Sequence, residues 1–185
     1  MDTYQIAVIV GSLRKESFNA RFAEALLRLA PEDFTFERVR IDDLPLYNQD
    51  DEFTPAETVI RLRKDILSAD GLLFFTPEYN RSIPGALKNA IDQASRPYGQ
   101  SAWTGKPAGV IGVSMGVIGT ALAQQHLRNI LAYLDVPTLG QPEAYIHFKE
   151  GLIDSNGDIG EASRQFLQEW MERYAAWVRL HAKSK

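Results

Sequence analysis

Three short, continuous apolar runs constrain the fold of this chain more than any other feature of its sequence. They occupy residues 6–10, 71–75 and 108–113, and in none of them do apolar and polar residues alternate. A strand with one face in water alternates, whereas a strand covered on both faces is apolar throughout, and such strands are typical of parallel sheets. The runs therefore predict three central strands of a parallel sheet.

Two weaker strand candidates complete the pattern, at residues 34–41 and 144–148. In the first of them, two phenylalanines and two arginines share one side, which predicts an edge strand. Helical periodicity fills the intervals between the strands. The predicted helices span residues 18–29, 56–67, 86–93, 121–134 and 161–181.

Strands that alternate with helices in this way require a parallel sheet with helices on both of its faces. We therefore predict an α/β fold, a flavodoxin-like three-layer sandwich whose five-stranded parallel sheet has the order 2-1-3-4-5. The length predicts a single domain over residues 1–185. Thr54, Pro55 and Glu57 predict the capped start of the second helix, and Asp158 with Glu161 predicts the cap of the last one.

Composition excludes several classes of site. The chain has no cysteine, which excludes a disulfide framework, a thiolate metal centre and a cysteine nucleophile. Its three histidines have no metal-ligand spacing, so we predict no metal site. A net charge of −4 argues against a broad nucleic-acid interface. There is no signal-peptide pattern, and no apolar run approaches the roughly 18 residues of a membrane span, so we predict a cytoplasmic protein without membrane contact.

In such a sheet, ligands bind beyond the carboxyl ends of the strands. There the first strand is followed by Gly11, Ser12, Arg14, Ser17 and Asn19 at a helix start. Backbone N–H groups and the positive end of a helix bind anions, and an arginine can add a charge-assisted, bidentate contact to a phosphate. The alternative is that Ser17 only caps the helix and that Arg14 is solvated.

The third strand is followed by a loop that Pro77 and Pro84 stiffen and in which Tyr79 offers a flat aromatic face. This loop suits a planar ring rich in heteroatoms, although it could also be an ordinary connection in which Pro84 opens the next helix. The fourth strand ends in a G-x-S-x-G pattern with Ser114 at its centre, which also occurs as the nucleophile elbow of hydrolases.

A hydrolase would need an acid and a base for Ser114. The candidates are Asp135 or Asp154 as the acid and His147 or His181 as the base. The alternative is a glycine turn that lets the backbone approach a ligand closely.

Together these residues resemble the NADPH-dependent FMN reductase family, which includes bacterial quinone, chromate and azo-dye reductases. The resemblance spans residues 6–134, and each of its motifs follows the expected strand. It implies an FMN phosphate loop at Ser12, Arg14, Ser17, Phe18 and Asn19, a segment along the ribityl chain and ring at Pro77, Glu78, Tyr79, Asn80 and Ser82, and a third loop with Ser114 and Gly116.

The resemblance also implies a reaction in which bound FMN takes a hydride from NADPH or NADH and reduces quinones, free flavin, chromate-type oxyanions or azo compounds. Because the flavin carries the chemistry, no catalytic acid or base is assigned. Family members are usually dimers or tetramers, which implies a homo-oligomer. Leu122 stands where the family has an arginine, although Gln124 and Arg128 remain.

Two alternatives to this function stay open. One is a flavodoxin-like electron carrier without its own NAD(P)H reaction. The other is a serine hydrolase that uses Ser114.

Overall fold

The computed structural model describes residues 3–182, in which five strands form one parallel sheet. The strands are β1 (Tyr4–Val10), β2 (Phe34–Arg38), β3 (Gly71–Phe75), β4 (Ala108–Ser114) and β5 (Tyr145–His147). Their order is β2-β1-β3-β4-β5, and every neighbouring pair is parallel. The predicted fold and strand order are confirmed, and β2 lies at an edge of the sheet as its pattern indicated.

Helices cover both faces of the sheet and create two hydrophobic cores. They are α1 (Phe18–Leu27), α2 (Glu57–Ser68), α3 (Gly85–Ala94), α4 (Ala121–Tyr133) and α5 (Glu161–His181), with a short 3-10 helix at Gln49–Asp51. Ile6, Val8 and Val10 of β1 pack into the core beside α1 and α5, while Ala7 and Ile9 pack beside α2, α3 and α4. Burial on both faces explains why this strand is apolar throughout.

The last helix joins the sheet through its aromatic stripe. The rings of Trp170 and Tyr174 stack with centroids 5.8 Å apart, and both side chains are buried. The Tyr174 hydroxyl donates to the Leu72 carbonyl oxygen of β3 at 3.0 Å. Gly109 makes room for this ring, because a Cβ at that position would lie 2.7 Å from Tyr174 Cδ2.

Two predicted helix caps are wrong. The N-cap of α2 is Ala56, which makes no side-chain capping bond, since the Thr54 N–H still donates to Asp51 in the turn after the 3-10 helix. The N-cap of α5 is Gly160, because the Asp158 carboxylate instead pairs with Arg28 at 2.9 Å. The Asp158 cap is thus lost to a partner distant in the chain, whereas Thr54 lies two residues before the N-cap, in the preceding turn.

Among residues 3–182, no helix is both long enough and apolar enough to cross a membrane. The same residues contain no group of three or more His, Cys, Asp or Glu side chains placed to hold a metal ion.

Candidate functional site

The loops that follow β1, β3 and β4 meet at the carboxyl edge of the sheet. The Gly11 N–H donates to the Phe75 carbonyl at 2.8 Å, and the Thr76 N–H donates to the Ile111 carbonyl at 3.0 Å. A Cβ on Gly11 would lie 3.3 Å from Pro77 Cδ, so the first two loops touch there. The three predicted segments therefore lie side by side at this edge.

The first loop is rich in unpaired backbone donors. Within the described residues, no backbone N–H from Ser12 to Asn19 donates to a protein acceptor. The Ser17 hydroxyl caps α1 by accepting from the Ala20 N–H at 3.2 Å, and the first turn of α1 carries no acidic residue. Arg14 is exposed beside these donors. Free N–H groups, the positive end of the helix dipole and a cation together make an anion-binding loop.

Asn19 holds this loop in place from inside the molecule. Its side-chain amide donates to the Val113 carbonyl and accepts from the Val113 N–H, both at 3.0 Å. The side chain is buried and uses both of its polar ends on β4. Only the backbone of Asn19 remains available to a ligand at the start of α1.

The second loop contains a tight hairpin from Tyr79 to Ser82, whose backbones exchange two hydrogen bonds of 3.0 Å. The two central residues, Asn80 and Arg81, have φ values of 52° and 64°. Positive φ at both central positions is the pattern of a type I′ turn, and it is strained for a residue such as arginine. The turn presents the Tyr79 ring, which is 49% exposed, at the carboxyl edge.

The Glu78 side chain caps α4, and its Oε1 also lies 3.6 Å from Nη1 of Arg81 in the hairpin. Its Oε2 accepts from the N–H groups of Leu122 at 3.0 Å and Ala123 at 3.2 Å. The N-cap residue of α4, Thr120, makes no side-chain capping bond of its own. The Glu78 carboxylate is thus engaged by the helix and by Arg81, and its backbone is what remains for a ligand.

His126, which no sequence motif marks, also fixes the second loop. Nδ1 of His126, on α4, lies 2.9 Å from the Ser82 hydroxyl. The two residues are far apart in the chain, and His126 has no metal-ligand or catalytic spacing that would mark it. Together with the cap from Glu78, this contact ties the second loop to α4 at two points.

Ser114, the last residue of β4, is hydrogen-bonded through its side chain to the backbone of the third loop. The Ser114 hydroxyl donates to the Gly119 carbonyl at 2.5 Å and accepts from the Gly116 N–H at 3.3 Å. Within residues 3–182, no histidine is hydrogen-bonded to it, although His147 lies opposite Ser114 in the register of β4 and β5. The serine–histidine pair that the hydrolase alternative requires is therefore not assembled.

Gly112, near the end of β4, and Gly116 and Gly119, in the third loop, serve different physical purposes. A Cβ on Gly112 would collide with the Thr76 carbonyl, so this glycine serves packing between β3 and β4. Gly119 has φ +65°, and a Cβ there would lie 2.6 Å from the Tyr145 carbonyl carbon. Gly116 faces more open space, its nearest neighbour being Ser114 Oγ at 3.8 Å. Only Gly116 leaves the backbone open to a ligand.

Gln124 and Arg128, which agree with the family pattern, bind α4 to the segment that leads into β5. Gln124 is buried and donates to the Ala144 carbonyl at 2.8 Å. Arg128 donates to the Leu139 carbonyl at 2.6 Å, and burial lowers the pKa of its guanidinium. Leu122 itself supplies a backbone N–H to Glu78 and a partly exposed apolar side chain. The third loop consequently presents an apolar rim, with Met115, Val117 and Ile118 also exposed.

The site as a whole offers hydrogen-bond donors suited to a phosphate at one end and, at the other, an aromatic and apolar rim beside the exposed Arg81. This donor set fits FMN, whose phosphate is anionic and whose ring system is flat. It offers no paired nucleophile and base, so the protein contributes binding and orientation to chemistry carried by a cofactor.

Comparison with known proteins points in the same direction. Residues 4–151 match the model of the NADPH-dependent FMN reductase family. The chain is 56% identical to a 2-hydroxy-1,4-benzoquinone reductase from a Burkholderia species, over 95% of this chain and 96% of the relative. It is 51% identical to a quinone reductase from Pseudomonas putida, over 96% of each chain.

Among solved structures, the chain is similar to FerB, a flavoenzyme NAD(P)H:(acceptor) oxidoreductase from Paracoccus denitrificans. The TM-score is 0.94 at 44% identity, covering 98% of this chain and all of that one.

Proposed function

Because this chain belongs to the NADPH-dependent FMN reductase family, we propose that it passes electrons from NADPH or NADH through bound FMN to quinones. The observation that carries the proposal is the first loop, where the free backbone N–H groups at the start of α1 lie beside Arg14. Free flavin, chromate-type oxyanions and azo compounds are further acceptors that the same site would serve. Both curated relatives cited above are quinone reductases by name.

We assign the cofactor site to the three loops, with roles that follow from the contacts. The phosphate end comprises Ser12, Arg14, Ser17, Phe18 and Asn19, the ribityl and ring end comprises Pro77, Glu78, Tyr79, Asn80 and Ser82, and the third loop adds Ser114 and Gly116. Arg14 and the free N–H groups would bind the phosphate. Asn19, Glu78 and Ser114 use their side chains on protein partners, so they would contribute backbone groups.

Bound FMN supplies hydride and electron transfer, and the residues of this chain prepare the place for it. The first loop fixes one end of the cofactor by charge and by backbone donors. The type I′ turn holds Tyr79 at the rim of the site. The exposed apolar side chains of Met115, Val117 and Leu122 favour a flat, uncharged acceptor at that rim.

Replacement of Arg14 tests the phosphate assignment directly. Loss of a hydrogen bond to a charged group costs about 1.5–3 kcal/mol, so Arg14→Ala should weaken FMN binding roughly 10- to 150-fold. Riboflavin has no phosphate, and its affinity should change little. Both flavins are titrated by fluorescence, with Arg173→Ala on the exposed face of α5 as a charge-loss control. An equal effect on both flavins, or no effect on either, would contradict the assignment.

Steady-state kinetics separate the proposed reaction from the electron-carrier alternative. The FMN-loaded protein should oxidise NADPH or NADH in the presence of a benzoquinone, and Ser114→Ala should retain most of this activity. A yellow protein that exchanges electrons with a reduced partner but never oxidises NAD(P)H would favour the carrier.

We also propose a cytoplasmic homodimer or homotetramer. In support of self-association, an open cleft of about 1340 Å³ lies beside α3 and α4, and none of the assigned cofactor residues lines it. Tyr98 and Tyr133 line it and are 84% and 83% exposed. Analytical ultracentrifugation should find two or four copies, and Tyr133→Glu should shift the population toward monomer. A wild-type monomer at micromolar concentration would contradict this proposal.

A further inference from the structure

Arg14 is held by an aromatic ring and not by an acidic group. Its Cζ lies 5.2 Å from the centroid of Phe18, the first residue of α1. The guanidinium makes no ion pair or hydrogen bond within the described residues. A cation within about 6 Å of a ring centroid is attracted to the ring. The Phe18 ring therefore restricts where the Arg14 side chain lies without neutralising its charge.

The Phe18 ring is itself supported from a distant part of the chain. It packs against Phe148 with centroids 4.3 Å apart and an angle of 31° between the ring planes. Phe148 directly follows β5, and its backbone N–H donates to the Ser114 carbonyl at 2.8 Å. Arg21, on the next turn of α1, lies over the Phe148 ring at 5.5 Å. The aromatic support thus connects the first loop to the end of β4.

We propose that Phe148 is a positioning residue for the cofactor phosphate and acts through Phe18 on Arg14. The proposal rests on the proposed function, because it takes Arg14 as a phosphate ligand. A long arginine side chain loses rotational freedom when it binds a phosphate. A ring that already restricts the side chain before binding reduces this entropy loss. Phe148 is only half-buried at the border of its core, so its packing there is less extensive than that of the fully buried rings.

The proposal predicts a selective effect on the phosphate end of the ligand. Phe148→Leu keeps an apolar side chain but removes the ring that supports Phe18. We expect it to weaken FMN binding about 3- to 10-fold and to leave riboflavin binding within about 2-fold of wild type. Phe148→Tyr keeps the ring and should bind FMN like wild type. Phe36→Leu, at a half-buried phenylalanine on the edge strand, is the matched control and should change neither affinity.

A double variant tests whether Phe148 acts through Arg14. If it does, Arg14→Ala with Phe148→Leu should bind FMN no more weakly than Arg14→Ala alone, because the supported group is already missing. Fluorescence titration of the apoprotein with FMN and riboflavin measures all of these affinities without reference to turnover. Equal losses for both flavins in Phe148→Leu, unchanged FMN binding, or full additivity in the double variant would each overturn the proposal.

Failure of this inference is distinguishable from failure of the proposed function. If Arg14→Ala removes the preference for FMN over riboflavin while Phe148→Leu does not reduce it, the phosphate site stands and the role of Phe148 is wrong. If Arg14→Ala leaves that preference unchanged, the phosphate assignment itself is wrong, whatever the effect of Phe148→Leu.

Discussion

Glu78 stabilises α4 from the loop after β3, because its carboxylate accepts hydrogen bonds from the first N–H groups of the helix. The motif places it correctly on the loop after β3, but a sequence does not say where a side chain on a loop points. In the structure its carboxylate caps α4 through the N–H groups of Leu122 and Ala123. His126 illustrates the same limit, because its contact with Ser82 joins two segments that only the folded sheet brings together.

Removal of the Glu78 cap should destabilise the protein. Loss of a helix-capping side chain costs about 0.5–2 kcal/mol, so Glu78→Ala should lower the free energy of unfolding by about 1 kcal/mol. Glu78→Gln keeps an accepting oxygen and should lose less than Glu78→Ala. Urea denaturation of the apoprotein measures both variants, with the exposed Glu16→Ala as control. Wild-type stability in Glu78→Ala would show that the cap contributes nothing.

At the level of whole elements, the sequence predicts which strands and helices exist better than it predicts where they begin and end. Strands such as β1 and β3 are visible because burial on both faces requires continuous apolar residues. Helix starts depend on which partner a polar side chain selects. Ser17 has no competing partner and caps α1, whereas Asp158 pairs with Arg28 and leaves α5 uncapped by a side chain.

The contact between β2 and α5 predicts a pH dependence. Just before β2, Asp33 accepts a forked contact from Arg179 of α5, with Nη2 2.7 Å from Oδ1 and Nε 3.0 Å from Oδ2. Hydrogen bonds from Arg179 lower the pKa of Asp33 below its ordinary value. A carboxylate with a lowered pKa stabilises the fold above its unfolded pKa of about 4, and this contribution is lost as the pH falls through its folded pKa.

Asp33→Asn should therefore destabilise the protein at neutral pH but not in strong acid. Both partners of the pair are partly exposed, so we expect a loss of no more than about 1 kcal/mol at pH 7. The difference from wild type should disappear near pH 2. Urea denaturation at the two pH values measures it, and Glu32→Gln, the neighbouring exposed carboxylate, serves as control. A deficit that is equal at both pH values would assign the effect to packing and not to charge.

At the level of the whole molecule, the site could be located from the sequence because the carboxyl ends of parallel strands share one edge. That rule brings together the loops after β1, β3 and β4, although they are distant in the chain. It says nothing of Phe148, which lies outside the recognised motifs and reaches the first loop only through ring packing. The contacts that adjust the site thus come from side chains that no local pattern marks.

Since the proposed cofactor site draws on three strands and two helices, FMN should stabilise the molecule as one unit. We expect the apoprotein to unfold in a single cooperative transition, as one domain over residues 1–185 would. FMN at a hundred times its dissociation constant should add about 2.7 kcal/mol to the free energy of unfolding. For a domain of this size, that gain corresponds to a rise of about 5–11 °C in Tm. Calorimetry measures the shift, and riboflavin at the same concentration should raise Tm less because it lacks the phosphate. Two separate transitions, of which FMN moves only one, would show that the site belongs to a part of the chain that unfolds independently.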